Sequence, residues 1–291
     1  MRIIKRKKGS GEYYYLQHSY RKEDKVLTRE KYLGVEVPRD IMKVKEDFNE
    51  EFKSDLNEKL ELIKKSFGAE WNRIPESARK KELEEISIAF TYNTNAIEGS
   101  TITLEETREI IHDKIAPNKS LRDVKETEAH SMVFLKMLNK KEEIGKKLLL
   151  DWHKEIFDNT KKDIAGRFRD YLVRVGTYLA PDWQEVDKMI DKLIVFIKNQ
   201  KNINPVELSA RAHYRFEKIH PFGDGNGRIG RLLMNYILWY SGYPMLIIEK
   251  SKRKSYYKAI SGDEERFVKY FIRRYLAVHK KRIKKLSEVS N

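Results

Sequence analysis

The chain has 291 residues and no cysteine, and its 60 Lys+Arg against 45 Asp+Glu give a formal net charge of +15. That excludes a disulfide framework, a thiolate nucleophile and a Cys-ligated metal, while the positive balance attracts polyanions, from nucleotides to nucleic acid to acidic protein surfaces. No apolar run approaches the ~18 residues of a membrane span and the basic N-terminus lacks an apolar continuation, so no membrane contact and a cytoplasmic location are expected.

In chain order, residues 13–20 and 26–34 are β-prone runs around a charged stretch at 21–25, which predicts an N-terminal β-hairpin appendage over 1–37. Its basic lead, Lys5-Arg6-Lys7-Lys8, and its tyrosines suit a small packed hairpin or an arm that stacks on single-stranded nucleic acid. Past Pro38 the pattern turns helical. A long charged helix over 40–67 is closed by Gly68, and a second, opened by Pro75 or Ser77, runs to near Gly99. Its last turn reads Thr94-Asn95-Ala96-Ile97-Glu98-Gly99.

Residues 103–111, 123–138 and 144–157 are further amphipathic helices. His153, in the last of them, has no metal-spaced partner and reads as a packed or solvated histidine. From Gly166 to Gly176 helical spacing stops. The alternation Leu172-Val173-Arg174-Val175 between glycines reads as a β-hairpin, whose edge a substrate peptide could extend through main-chain hydrogen bonds.

Helices over 206–219 and 229–240 then flank His220-Pro221-Phe222-Gly223-Asp224-Gly225-Asn226-Gly227-Arg228-Ile229-Gly230-Arg231. A glycine-rich turn feeding a helix N-terminus offers unpaired N–H groups and a positive dipole end to an anion, and phosphate is the natural guest. Asp224 can hold Mg2+, Arg228 and Arg231 can fork onto phosphate oxygens, and a neutral His220 can take a proton from a nucleophile. Beyond Gly242 and Pro244, a helix over 252–260 carries Tyr256 and Tyr257. The tail, 265–286, is a basic amphipathic helix ending in a Lys/Arg cluster, a solvated face or a contact for nucleic acid.

The motif at 220–231 resembles the Fic family signature H-P-F-x-[DE]-G-N-G-R-x-x-R at every specified position, and residues 94–99 resemble the family's inhibitory motif [ST]-x-x-x-E-[GN] in its N-terminal placement. The resemblance runs from about Leu83 to Ser261. It implies a mainly α Fic fold, a helical bundle with a β-hairpin flap, beside the N-terminal hairpin: a segment 38–100 with the inhibitory helix, a catalytic core 101–261 and a basic helix 262–291. It implies Mg2+-dependent transfer of AMP from ATP to a Ser, Thr or Tyr hydroxyl of a protein. His220 would be the base, Asp224 the metal ligand, and Gly225, Asn226 and Gly227 the α-phosphate anion hole. Arg228 and Arg231 would hold the β- and γ-phosphates, and Tyr256 or Tyr257 would stack on adenine. Leu172, Val173, Arg174 and Val175 would form the target-binding flap, and Glu98 would pair with Arg231 and misplace ATP.

Expected partners are a target protein, a second copy of the chain in a homodimer and, through the basic termini, nucleic acid. Two alternatives stand beside AMP transfer. One is hydrolytic removal of AMP from a protein, alone or in a bifunctional enzyme, with Glu98 orienting the water; the other is a nucleic-acid-binding regulator with vestigial catalysis. Gly227 argues against the phosphorylating branch of the family, which carries lysine there.

Overall fold

The computed structural model describes residues 1–22, 25–200 and 202–287. Glu23 and Asp24 of the predicted charged turn, and the last four residues of the basic tail, lie outside the described residues. The chain is mainly α with a small antiparallel sheet near its start, and its internal contacts divide it into residues 1–61 and 62–291. The boundaries expected at 38, 101 and 262 do not coincide with that division.

In the first unit, β1 (Arg2–Lys8), β2 (Gly11–Lys22) and β3 (Lys25–Gly34) form one antiparallel sheet in the order β1-β2-β3. Arg6 lies opposite Tyr13, and Tyr15 opposite Tyr32. The predicted hairpin is thus a three-stranded meander, and the basic lead is its first strand. Main-chain pairing asks nothing of side-chain polarity, and cations on both faces of β1 hide its period-2 pattern. The Arg6 guanidinium stands 5.2 Å from the Tyr15 ring and binds Glu30 at 2.7 Å, while Leu16 is wholly buried. Helix α1 (Ile41–Arg73) begins in this unit.

Helix α1 does not stop at Gly68 as expected. One glycine costs a helix about 1 kcal/mol, which the packing of Phe67 and Trp71 on Trp239, at ring distances of 6.0 and 5.3 Å, outweighs. Then follow α2 (Glu76–Ile97), α3 (Leu104–Arg108) with a π-helical turn (Glu109–Asp113), α4 (Leu121–Asn139) and α5 (Lys146–Phe157). Thr103 and Glu106 close a reciprocal capping box at the start of α3.

Strands β4 (Arg174–Val175) and β5 (Tyr178–Leu179) form the second hairpin. It sits further along than predicted: Gly176, with φ +58°, makes the turn instead of bounding the strand, and Leu172 and Val173 lead in. Next come α6 (Trp183–Asn199), α7 (Pro205–Ile219), α8 (Asn226–Tyr240), α9 (Arg253–Ile260), α10 (Glu264–Val278) and α11 (Lys280–Ser287). The single predicted tail helix breaks at His279, which separates α10 from the Lys/Arg cluster on α11. In α10, Phe267 and Phe271 are wholly buried, with Phe267 against His213 and Tyr214 of α7.

Phe90, Phe134, Trp152, Phe157, Phe216, Phe222, Ile229 and Leu232 meet in one core. Each such side chain stabilises the fold by roughly 1.5–3 kcal/mol. Because that core draws on α2, α4, α5, α7 and α8 together, it fixes the α7–α8 turn against three other helices.

Candidate active site

Helix α7 is started by Asn204, whose side chain accepts from the Val206 N–H at 2.9 Å, with Pro205 in the first turn, and ends at His220 in the left-handed conformation (φ +51°). Gly225 caps α8 at φ +79°, where a Cβ would also strike the Phe157 ring. Between them Phe222, wholly buried, stacks on His153 at 3.9 Å. Asn226 closes the loop: its Oδ1 accepts from the Phe222 N–H and its Nδ2 donates to the Phe222 carbonyl, both at 2.8 Å. The amide side chain expected in the anion hole is therefore consumed by the loop. What remains for an anion is the first-turn main chain of Asn226, Gly227 and Arg228, which has no acceptor within the helix.

His153 holds the same loop from α5. Its Nε2 donates to the Asp224 carbonyl and its Nδ1 accepts from the Gly166 N–H, each at 3.0 Å, which fixes the tautomer. Burial pushes this imidazole down to about 4, so it is neutral. Arg169 holds the other side: its guanidinium donates to the His220 carbonyl at 2.8 Å and the Pro181 carbonyl at 2.6 Å, and its main-chain N–H donates to Pro221 at 2.9 Å. The loop at 220–225 and the flanks of the β4–β5 hairpin thus share one buried cation. On that hairpin Leu172, Val175 and Leu179 are exposed.

His220 is half-buried, and its Nδ1 lies 3.3 Å from the Glu217 carbonyl. A carbonyl can only accept, so Nδ1 carries the proton and Nε2 the lone pair. Burial holds the imidazole below the ordinary histidine range, leaving the neutral base at pH 7.

Two ionic arrays flank the turn. In the first, Arg231, 1% exposed, donates Nε to Thr94 Oγ1 at 2.5 Å and Nη2 to Glu98 Oε1 at 2.6 Å. The Tyr257 hydroxyl reaches Glu98 Oε2 at 3.4 Å. Burial opposes the Arg231 charge, and Glu98 foremost among its neighbours more than restores it. Glu98 also lies against Gly227, where any Cβ would collide with its Oε1. The carboxylate therefore covers both the guanidinium and the helix N-terminus, the two groups that would receive phosphate.

In the second array, Asp224 Oδ2 meets Lys161 Nζ at 2.6 Å, Lys161 meets Glu126 Oε1 at 2.9 Å, and Glu126 Oε2 meets Arg228 Nη1 at 2.5 Å. Burial raises the Asp224 carboxyl, but Lys161, Arg228 and the Gly225 N–H outweigh it and leave it below its ordinary value. Arg228 and Arg231, expected to act together on phosphate, diverge, because Glu126 on α4 takes the first. Among the described residues no three His, Asp or Glu gather into a metal cage. Asp224 fits a divalent cation that takes its remaining ligands from phosphate and water: its carboxylate is half-exposed and already carries a cation, the Lys161 ammonium.

Of the two tyrosines, Tyr256 is buried at 1% with its hydroxyl 2.8 Å from His213 Nε2, a core residue with no free face for a base. Tyr257, half-buried beside Glu98, is left as the stacking candidate. Sequence reasoning missed Thr94 as an Arg231 partner, Glu126, Lys161 and Arg169, and read His153 as bystander. None stands near the motif in the chain, and only the fold brings them to it.

Residues 143–238 match the Fic/DOC family model. The chain is 33% identical over 205 residues to the protein adenylyltransferase Fic of Nematostella vectensis, covering 67% of this chain and 48% of that protein. To the protein adenylyltransferase fic-1 of Caenorhabditis elegans it is 32% identical over 214 residues, covering 69% and 42%. It thus spans less than half the length of these relatives. Among solved structures, Fic-1 from C. elegans superposes with a TM-score of 0.68 at 28% identity, over 86% of this chain and 78% of that one. A Fic family protein from Desulfovibrio desulfuricans G20 gives 0.66 at 25%, over 79% and 74%.

Proposed function

We propose, from the premise that this chain carries a Fic/DOC family domain, that it transfers AMP from ATP to a protein hydroxyl and is held back by Glu98. The observation that carries this reading is a neutral His220, its Nε2 lone pair unspent, on the turn that leads into the α8 N-terminus, with the buried Arg231 in the second turn of that helix.

In this reading the α-phosphate sits on the amides of Gly227 and its neighbours, and the γ-phosphate reaches for Arg231. The exposed edge of the β4–β5 hairpin aligns the target segment, so that its Ser, Thr or Tyr oxygen approaches the α-phosphorus in line. His220 Nε2 takes the hydroxyl proton as the new O–P bond forms. The bond to the β-phosphate oxygen breaks, and pyrophosphate leaves with the charge of that oxygen offset by Arg231. Asp224 would hold Mg2+, which when bound neutralises phosphate charge. Tyr257 would stack on the adenine.

Glu98 opposes this by taking the Arg231 Nη2 donor. The same carboxylate supports a second reading. Because it also lies against Gly227, beside the α-phosphate position, it could orient a water for removal of AMP from a modified protein. Incubation with α-labelled ATP and cell lysate tests the first reading: wild type and Glu98→Gly should both transfer label to protein, the variant more. Absence of transfer by both, together with release of AMP from a modified protein by wild type alone, would put removal first.

A further inference from the structure

Lys161 is a cation of the site that neither the motif nor the proposed reaction uses. Its main chain is pinned at the end of α5, with its N–H donating to the Phe157 carbonyl at 2.8 Å and its carbonyl accepting from Ala165 at 3.0 Å. Its side chain, only 19% exposed, lies over the Phe157 ring and reaches two carboxylates, Asp224 at 2.6 Å and Glu126 at 2.9 Å. Asp224 Oδ1 is occupied by the Gly225 N–H at 2.6 Å, so Oδ2 is the oxygen left to receive a cation. Lys161 already sits there.

An ammonium and a divalent metal at one carboxylate oxygen repel each other, so each weakens the other's hold. Lys161 has somewhere else to go, since Glu126 Oε1 accepts it without disturbing the Arg228 contact on Oε2. We propose that Lys161 is a tethered cation that holds Asp224 until a divalent metal, arriving with nucleotide phosphates, displaces it onto Glu126, and that it thereby sets how much metal the site requires. The inference rests on the proposed reading of Asp224 as a ligand of nucleotide-bound metal. It makes Lys161 a positioning residue, acting through Asp224 and not on substrate.

The test is direct titration of the full chain with Mn2+ in the presence of α,β-methylene-ATP, following free Mn2+ by electron paramagnetic resonance. Lys161→Met should bind Mn2+ about tenfold more tightly than wild type, as expected for removal of one competing charge at contact. Lys161→Arg, which keeps the charge, should stay near wild type. Affinity in Lys161→Met equal to or weaker than wild type, with the far-ultraviolet circular dichroism unchanged, would overturn the proposal. If that variant does not fold, Lys161→Gln takes its place under the same criteria. If wild type and variants bind the nucleotide but no Mn2+, the metal reading of Asp224 fails and this proposal with it. Equal Mn2+ affinity in all of them sinks the proposal alone.

Discussion

Glu98 Oε1 and Arg231 Nη2 lie 2.6 Å apart, joining the residue that caps α2 to the second turn of α8. The arginine is buried and held by Thr94 from the same helix end, so the pair has one geometry and does not wander as a surface pair would. Opening it must change what Arg231 can bind.

Glu98→Gly should therefore raise AMP transfer and self-modification by about tenfold or more, since each ~1.4 kcal/mol of lost competition is a factor of ten. Adding Arg231→Ala should return the rate toward the uninhibited-but-unliganded floor, well below the sum of the single effects. Initial rates of label transfer from α-labelled ATP measure both. Equal rates for wild type and Glu98→Gly would show that the carboxylate is no brake.

Gly227→Ala separates the brake from the nest. Its Cβ has no room beside Glu98 Oε1, so with Glu98 present the substitution should loosen the Arg231 contact and raise transfer a few-fold. With Glu98→Gly already in place only the crowding of the phosphate site remains, and the rate should fall. The expected outcome is opposite signs in the two backgrounds; the same sign in both would mean that the contact does not matter to inhibition.

His220→Ala should cost about 10²–10⁴-fold in transfer, the usual contribution of a positioned base, with little change in melting temperature. Because burial holds the His220 imidazole below 6.5, the acid limb of kcat/KM should lie below pH 6.5. A limb at or above that value would point to a different base.

Stability should peak near neutrality for a reason with two signs. Burial drives His153 to about 4 and His213 to about 3, so below 6.5 the unfolded chain binds protons that the fold refuses and stability falls with falling pH. Burial raises Glu217 to about 8, partly offset by Arg231, so the fold holds a proton there that the unfolded chain releases, and stability declines as pH rises toward 8. Urea midpoints at pH 4.5, 6.5 and 8.5 should be highest at 6.5. Glu217→Gln should flatten the alkaline side and steepen the rise between 4.5 and 6.5, because the raised Glu217 acts from 4.5 to about 8; an unchanged alkaline slope would remove Glu217 as its cause.

Much of this protein is written in local order. Residues 220–231 form a contiguous turn whose glycines, helix start and imidazole can be read from spacing alone, because each acts through its own main chain or its nearest neighbours. Glu98 at a helix end was legible for the same reason. Tertiary structure decided which groups those residues actually meet. Asn226 turned inward to Phe222, Arg228 was taken by Glu126, and Tyr256 went to the core, because a buried polar side chain takes whichever partner the packing brings to it. His153, Lys161 and Arg169 reached the turn from α5 and the segment after it, at separations that no periodicity encodes. The first strand was hidden because main-chain pairing leaves no mark on a run of lysines and arginines.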